Sequence, residues 1–200
     1  MGVETRNNKS GGGLNIYRRL RRWGATDAEV FMSLPGDNVA PKANYQNTLA
    51  ITIDVPPEQI WPWLVQMGQE RAGFYTYTFL ENLFFADMHN ANQIEPKWQQ
   101  RKVGDFVSTF RGKLGWKVAE IEINRSIVYR DDNNTSTLAV VINKLDNNHS
   151  RLITRMRDTT GNNPGIWLFK KMFWDWAHCV MQHGILEGIK ARVGKRQSVD

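Results

Sequence analysis

Ile166-Trp167-Leu168-Phe169-Lys170-Lys171-Met172-Phe173-Trp174-Asp175-Trp176-Ala177-His178-Cys179-Val180-Met181-Gln182-His183-Gly184-Ile185-Leu186-Glu187-Gly188-Ile189-Lys190-Ala191-Arg192 is the one long helical signal in a strand-rich chain. Gly161, Pro164 and Gly165 precede it as breakers, no proline interrupts it, and Gly194 with Lys195 and Arg196 predicts its end. At 1.5 Å per residue it spans roughly 40 Å, enough to cross a small sheet. Phe169, Phe173, Trp176, Ala177 and Val180 form one apolar row, and Trp174, Met181, Ile185 and Ile189 a second beside it. So wide a stripe needs a layer to cover it. Gly184 and Gly188 leave a bare strip where another backbone or a ligand can come close.

The covering layer is written upstream as apolar alternation with period two. Tyr45 to Val55 places Tyr45, Leu49, Ile51, Ile53 and Val55 on one face and Gln46, Thr48, Thr52 and Asp54 on the other, which predicts a half-buried strand. Further strands are predicted over Asp105–Phe110, Trp116–Ile123, Ile127–Arg130, Thr135–Lys144 and Arg151–Asp158, joined by short polar turns that suit hairpins. The phase slips between Val118 and Ile121, which predicts a β-bulge. Arg151, Arg155 and Arg157 share one face of the last strand, and that face is expected to meet solvent, with anion binding as the alternative.

Between the first two strands, Pro56-Pro57-Glu58 stops the strand and opens a helix with Ile60, Trp61, Leu64 and Val65 inward. Pro62 is expected to bend or break that helix. A second helix is predicted where Thr78 and Glu81 form a capping box ahead of Leu83 and Phe84. Toward the N-terminus, Ile16, Leu20 and Trp23 fall on one side of a short helix with Arg18, Arg19, Arg21 and Arg22 around it. Its apolar side is expected to dock on the domain, with an anionic membrane surface as the alternative. Thr26 to Val39 reads as a linker with a turn at Pro35-Gly36-Asp37. The organisation is thus a disordered tail (1–13), a basic helix and linker (14–44), a folded domain (45–193) and a basic tail (194–200).

The element order, with the run Ile53-Asp54-Val55-Pro56-Pro57-Glu58-Gln59-Ile60-Trp61-Pro62-Trp63-Leu64-Val65-Gln66-Met67-Gly68, resembles the START-like, or SRPBCC, superfamily of helix-grip proteins. That group includes polyketide cyclases, Bet v 1-like allergens and lipid-transfer START domains. Arg71-Ala72-Gly73-Phe74-Tyr75, Glu81-Asn82-Leu83, Val103-Gly104-Asp105 and Gly184 to Arg192 look like uncharacterised bacterial SRPBCC proteins, and the likeness covers Trp23 to Arg192. It implies an α+β helix-grip fold: a curved seven-stranded antiparallel sheet wrapped around a long C-terminal helix, with two short helices between strands 1 and 2. It also implies a ligand cavity between sheet and helix. Gln182-His183 depart from the group, whose members often carry a charged pair there.

Two hundred residues, 41% of them apolar and eight of them Trp, suit one domain with a substantial core. The lone Cys179 excludes an internal disulfide and fits a reducing compartment; no run reaches a membrane span and no signal peptide is legible, so a cytoplasmic protein is expected. The net charge of +6 is concentrated near both termini. No helix-turn-helix, RRM or KH wording accompanies it, so nucleic acid is not expected as a partner. His178 and His183 are five apart, the wrong spacing for zinc on one helix face, and no metal or other cofactor is expected. Nucleophile elbows and phosphate loops are absent from the sequence.

Candidate proton-transfer groups are His178, Glu81 and Tyr75, each with structural packing as the competing reading. The candidate ligand-binding set is Arg71, Tyr75, Tyr77, Glu81, Trp98, Phe110, Trp116, Trp174, His178 and Met181. Arg71 and Glu81 would be costly to bury unless paired or facing a polar ligand group. The tyrosines and tryptophans can pack a wall while offering OH or NH to an oxygenated ligand. The favoured reading is a module that holds a lipid, polyketide or isoprenoid-like molecule as a monomer or weak dimer; a cyclase or dehydratase using the same cavity is the alternative.

Overall fold

The computed structural model describes residues 17–76, 90–110, 114–159, 165 and 175–197. Expectations for residues 1–13 and for a helix after Thr78 lie outside the described residues. In chain order the elements are α1 (Asp27–Phe31), β1 (Tyr45–Ile53), α2 (Pro57–Val65), a 3₁₀ turn (Pro96–Trp98), β2 (Phe106–Phe110), β3 (Leu114–Glu122), β4 (Ser126–Arg130), β5 (Ser136–Lys144), β6 (Ser150–Asp158) and α3 (Asp175–Gln197). All strands join one antiparallel sheet ordered β1-β6-β5-β4-β3-β2. The described residues therefore carry six strands, as the alternation alone predicts, where the family resemblance implies seven. The bulge falls where the phase slips, between Val118 and Glu120.

One sheet face carries the main core. Leu49, Ile53, Val118, Ile127, Tyr129, Val140, Ile142 and Leu152 pack against Ile60, Trp63 and Leu64 of α2 and Ile185, Leu186, Ile189 and Val193 of α3. Helix α2 runs unbroken through Pro62. A proline there leaves only the Glu58 carbonyl without its helical partner, and Glu58 is exposed, so water can meet it. Helix α3 continues past Gly194, which faces open space, to Gln197.

The opposite sheet face is not open to solvent. Ala50, Val128, Ala139, Val141 and Ile153 form a second core with Leu34, flanked by Ala25 and Met32. The segment read as a linker is a strap laid across this face, and it contains α1. Thr26 caps α1 in a full capping box: Glu29 N–H donates to Thr26 Oγ1 at 3.2 Å, and Thr26 N–H donates to Glu29 Oε2 at 2.7 Å. Strand β1 is consequently buried on both faces, Thr48 and Ala50 included.

The three β6 arginines, expected in solvent, are the staples of this strap. Arg155 is 2% exposed and uses all its donors: Nε to Thr48 Oγ1 (3.1 Å), Nη1 to Met32 O (2.8 Å) and Asp37 Oδ2 (2.9 Å), Nη2 to Glu29 O (2.6 Å) and Val30 O (3.0 Å). Arg151 grips the Glu29 carboxylate through Nε (2.6 Å) and Nη2 (3.0 Å), and Arg157 donates to Asp37 O. A polar stripe is compatible with burial when every guanidinium meets carbonyls and carboxylates. The segment before the strap docks as well: Arg21 O and Trp23 O accept from the Thr48 and Ala50 amides on the free edge of β1. Trp23 packs on the main core and stacks edge-on with His183 at 4.1 Å between centroids. Gly24, with φ +66°, turns the chain there, where a Cβ would collide with the Ala50 carbonyl.

Burial works to raise the Glu29 carboxyl, but hydrogen bonds from Arg151 and Thr26 outweigh it and hold the group below its ordinary range. The strap's hold is then complete above the unfolded carboxylate value of about 4.3 and is lost as pH falls through the lower folded value. Acid is thus expected to lower the protection factors, that is, exchange relative to the intrinsic rate at each pH, of the Thr48 and Ala50 amides in the wild type. Glu29→Gln should exchange faster at neutral pH and respond less to acid; identical acid profiles for the two proteins would remove Glu29 from this role.

Candidate functional site

The buried seam of α3 runs Asp175, Cys179, Gln182, Leu186, Ile189 and Val193, in alternating steps of four and three, with Ile185 beside it. This differs from the apolar rows of the sequence: Trp176 is 46% and Met181 38% exposed. The reason is that the inward side carries polar residues in its first turns. Asp175 accepts from Tyr17 OH (2.6 Å) and Arg21 Nη2 (2.8 Å), and the Arg21 guanidinium lies 4.2 Å from the Tyr45 ring centre. Asn47 Nδ2 donates to Tyr45 OH (3.2 Å) and to Cys179 Sγ (3.4 Å), while Asn47 Oδ1 accepts from Met156 N–H (3.2 Å). Burial pushes the Cys179 thiol up, away from the thiolate form that nucleophilic attack needs.

Gln182 follows, 2% exposed, between this polar network and the aliphatic end of the seam. Neither its Nε2 nor its Oε1 has a hydrogen-bond partner among the described residues. The same holds for the hydroxyl of Thr154, which lies between Leu152 and Met156 on β6 and opposite Leu49 of β1. Thr154 shares the helix-facing side with Leu49 and Leu152 of the main core, the layer on which the α3 seam packs. Buried amides and hydroxyls are nearly always bonded, and leaving one unmet costs about 1 to 3 kcal/mol.

A second polar group lies at the α2 end. Arg101 Nε donates to Val65 O (2.7 Å) and Nη2 to Met67 O, while Nη1 is buried without a partner among the described residues. The Tyr129 hydroxyl is likewise buried and unpartnered. Beside Arg101 opens a cleft of about 310 Å³ whose other walls include Trp61, Val65, Gln99, Ile121 and Ile123.

The candidate residues read from the sequence fare differently. Tyr75 is buried with φ 61°; its hydroxyl donates to Trp63 O (3.0 Å) and its amide to Asn90 Oδ1 (2.7 Å). Burial raises its pKa, which disfavours the phenolate. Arg71 ties the loop through Trp98 O and Gln100 O, both at 3.4 Å, and approaches Asp105 at 3.9 Å. Trp98 and Trp116 are half-buried against the main core. His178 is half-buried beside the seam and Met181 is turned outward. Tyr77, Glu81, Trp174 and the Phe110 side chain lie outside the described residues. Gly188 does meet a backbone, that of Tyr75. Gln182, Thr154, Arg101 and Tyr129 were not among the candidates; only the departure at Gln182-His183 pointed toward one of them.

Among the described residues no cluster of His, Cys, Asp and Glu could hold a metal ion, and no helix is long and apolar enough to cross a membrane. An antiparallel sheet with a C-terminal helix packed on one face is an α+β arrangement, consistent with a helix grip. No protein-family model and no curated protein matches the chain. Solved structures do. The KanY protein, solved by NMR, is 12% identical over 75% of this chain and 97% of its own, with a TM-score of 0.48. A polyketide-cyclase-like protein of Corynebacterium glutamicum is 14% identical over 74% and 88%, with a TM-score of 0.37. The Aha1 dimer of Colwellia psychrerythraea is 14% identical over 71% and 90%, with a TM-score of 0.39. The likeness is one of fold.

Proposed function

We propose that the protein binds a hydrophobic or amphipathic small molecule, of lipid, polyketide or isoprenoid type, between the sheet and α3. The observation that carries this reading is Gln182: an amide buried at the centre of the helix seam with neither atom bonded among the described residues. A ligand oxygen or hydroxyl meeting Gln182 would supply the missing partner, with Thr154 available on the facing strand, while Leu49, Leu152 and Leu186 offer the apolar walls. A cyclase-type enzyme in the same space draws less support, because Tyr75 is committed to Trp63 O.

Gln182→Leu separates ligand binding from structure, because the two effects have opposite signs. Without ligand the variant is expected to be more stable than the wild type by about 1 to 3 kcal/mol in urea melts, since an unmet amide is removed at similar volume. Its affinity for an oxygenated apolar ligand should fall about tenfold. The ligand itself is sought by native mass spectrometry of protein purified from its own host, followed by extraction. A Gln182→Leu variant less stable than the wild type, or an empty wild-type protein that no amphipathic compound stabilises, would defeat the reading.

A further inference from the structure

Three contacts fix how α3 lies along β1. Cys179 Sγ accepts from Asn47 Nδ2 at 3.4 Å, and Lys190 Nζ donates to Thr52 O at 3.0 Å. Between them the His183 ring meets Trp23, whose carbonyl accepts from the Ala50 amide. The helix therefore runs beside the strand in the same direction. From Cys179 to Lys190 it rises about 16 Å, and from Asn47 to Thr52 the strand covers about 17 Å, so the two stay in step. Gln182, about 4.5 Å beyond Cys179, comes level with Leu49, a main-core residue whose partner across the sheet is Thr154.

Gln182 on the helix and Thr154 on the sheet thus stand at one level, 2% and 0% exposed, and neither bonds to the other. Both side chains are neutral, and each can donate as well as accept. The cations along this seam are engaged elsewhere, Arg21 with Asp175 two turns earlier and Lys190 with Thr52 O. Of the histidines on α3, His183 is turned to Trp23 and His178 lies half-buried beside the seam. A carboxylate set between Gln182 and Thr154 would meet only neutral groups, at the cost of an uncompensated buried charge. A simple ester or ketone only accepts, and it leaves Gln182 Oε1 unmet. A hydroxyl or carboxamide accepts from Gln182 Nε2 and also donates, to Gln182 Oε1 or to Thr154 Oγ1. We propose that Gln182 and Thr154 form a subsite for a neutral head group of this kind, so that the amphiphile held under α3 is an alcohol or an amide and not a carboxylic acid or plain ester. The subsite presupposes ligand binding in the seam and narrows it to one head-group chemistry.

The probes are octanol, octanamide, methyl octanoate and octanoate, which share one tail and differ in the head, compared by calorimetry and thermal melting of the full chain at neutral pH. Octanol and octanamide should bind and raise the melting temperature, with methyl octanoate and octanoate each at least about tenfold weaker. Thr154→Val removes only an unbonded hydroxyl, so it should fold like the wild type and bind octanol about tenfold more weakly. Unchanged octanol affinity in Thr154→Val would mean that a buried water alone answers that hydroxyl, and would overturn the subsite. Octanoate or methyl octanoate binding as well as octanol, and lost in Gln182→Leu, would overturn the neutral head group while leaving the seam as the binding place. No binding of any of the four by the wild type would overturn both.

Discussion

Arg155→Ala is expected to destabilise the protein by about 3 to 5 kcal/mol, the range for breaking a buried charged pair by removing one partner. The side chain is 2% exposed and connects three layers of contact: Thr48 on β1, the Asp37 carboxylate, and the strap carbonyls of Glu29, Val30 and Met32. Truncation takes the guanidinium donors from the Glu29 and Met32 carbonyls beside the second core, leaves Val30 O with Gln46 Nε2 alone (3.1 Å), and leaves Asp37 with Arg157 as its remaining ion-pair partner. Desolvation lowers the Arg155 pKa, with Asp37 opposing it. Arg155→Met, which keeps the aliphatic stem, is expected to recover only part of the loss. Urea melts measure it; a loss below about 1 kcal/mol, the scale of a surface pair, would show the strap to be peripheral.

Gly188→Ala is the second large effect, and two rules predict opposite signs for it. By helix propensity alone, alanine in a helix interior is better than glycine by about 1 kcal/mol. Here a Cβ would fall 2.8 Å from Tyr75 Cβ and well inside contact with the Tyr75 carbonyl oxygen. Tyr75 is not free to yield, held by Asn90 at its amide, by Trp63 at its hydroxyl and by the Arg192 guanidinium 4.8 Å from its ring centre. Helix α3 would have to move off the sheet, and a loss of about 3 kcal/mol or more is expected. Gly194→Ala is the control, since nothing lies within 4 Å of its Cβ position, and it should be neutral or stabilising. Equal effects for the two substitutions would mean that α3 does not press on Tyr75.

Strand positions were legible because alternation is a local property. Each of the six strands was predicted within two residues at either end, and even the bulge before Ile121 showed as a slip of phase. What alternation does not encode is the layer beyond. The even face of β1 and the arginine face of β6 read as solvent-facing, because nothing local in Thr48 or Arg155 announces a strap whose carbonyls will receive them. Helix α1 carried a capping box at Thr26 and Glu29, the same signature used to predict a helix after Thr78, but the Pro35-Gly36-Asp37 turn drew the whole segment into a linker. On α3 the apolar rows pointed Trp176 and Met181 inward, whereas the buried seam carries Asp175 and Gln182. A helix whose inward side is partly polar misleads any reading by hydrophobicity, and such conflicts gather where a protein has a task besides folding. Arg101 and Tyr129 gave no pattern at all, since nothing local marks a polar atom that will end buried without a partner.

The pairing of β1 with β6 also governs how the chain comes off the ribosome. Tyr45 pairs with Asp158, more than a hundred positions later, while β2 to β6 pair as consecutive hairpins. The meander can zip up locally, but β1 must close a long loop before its ladder forms. Its edge bonds to residues 21 and 23 cannot shelter it in the meantime, because the strap is anchored to β6 through Arg151 and Arg155. Strand β1, built to be covered on both faces, is therefore synthesised early and completed last, and the nascent chain carries it uncovered until β6 has emerged.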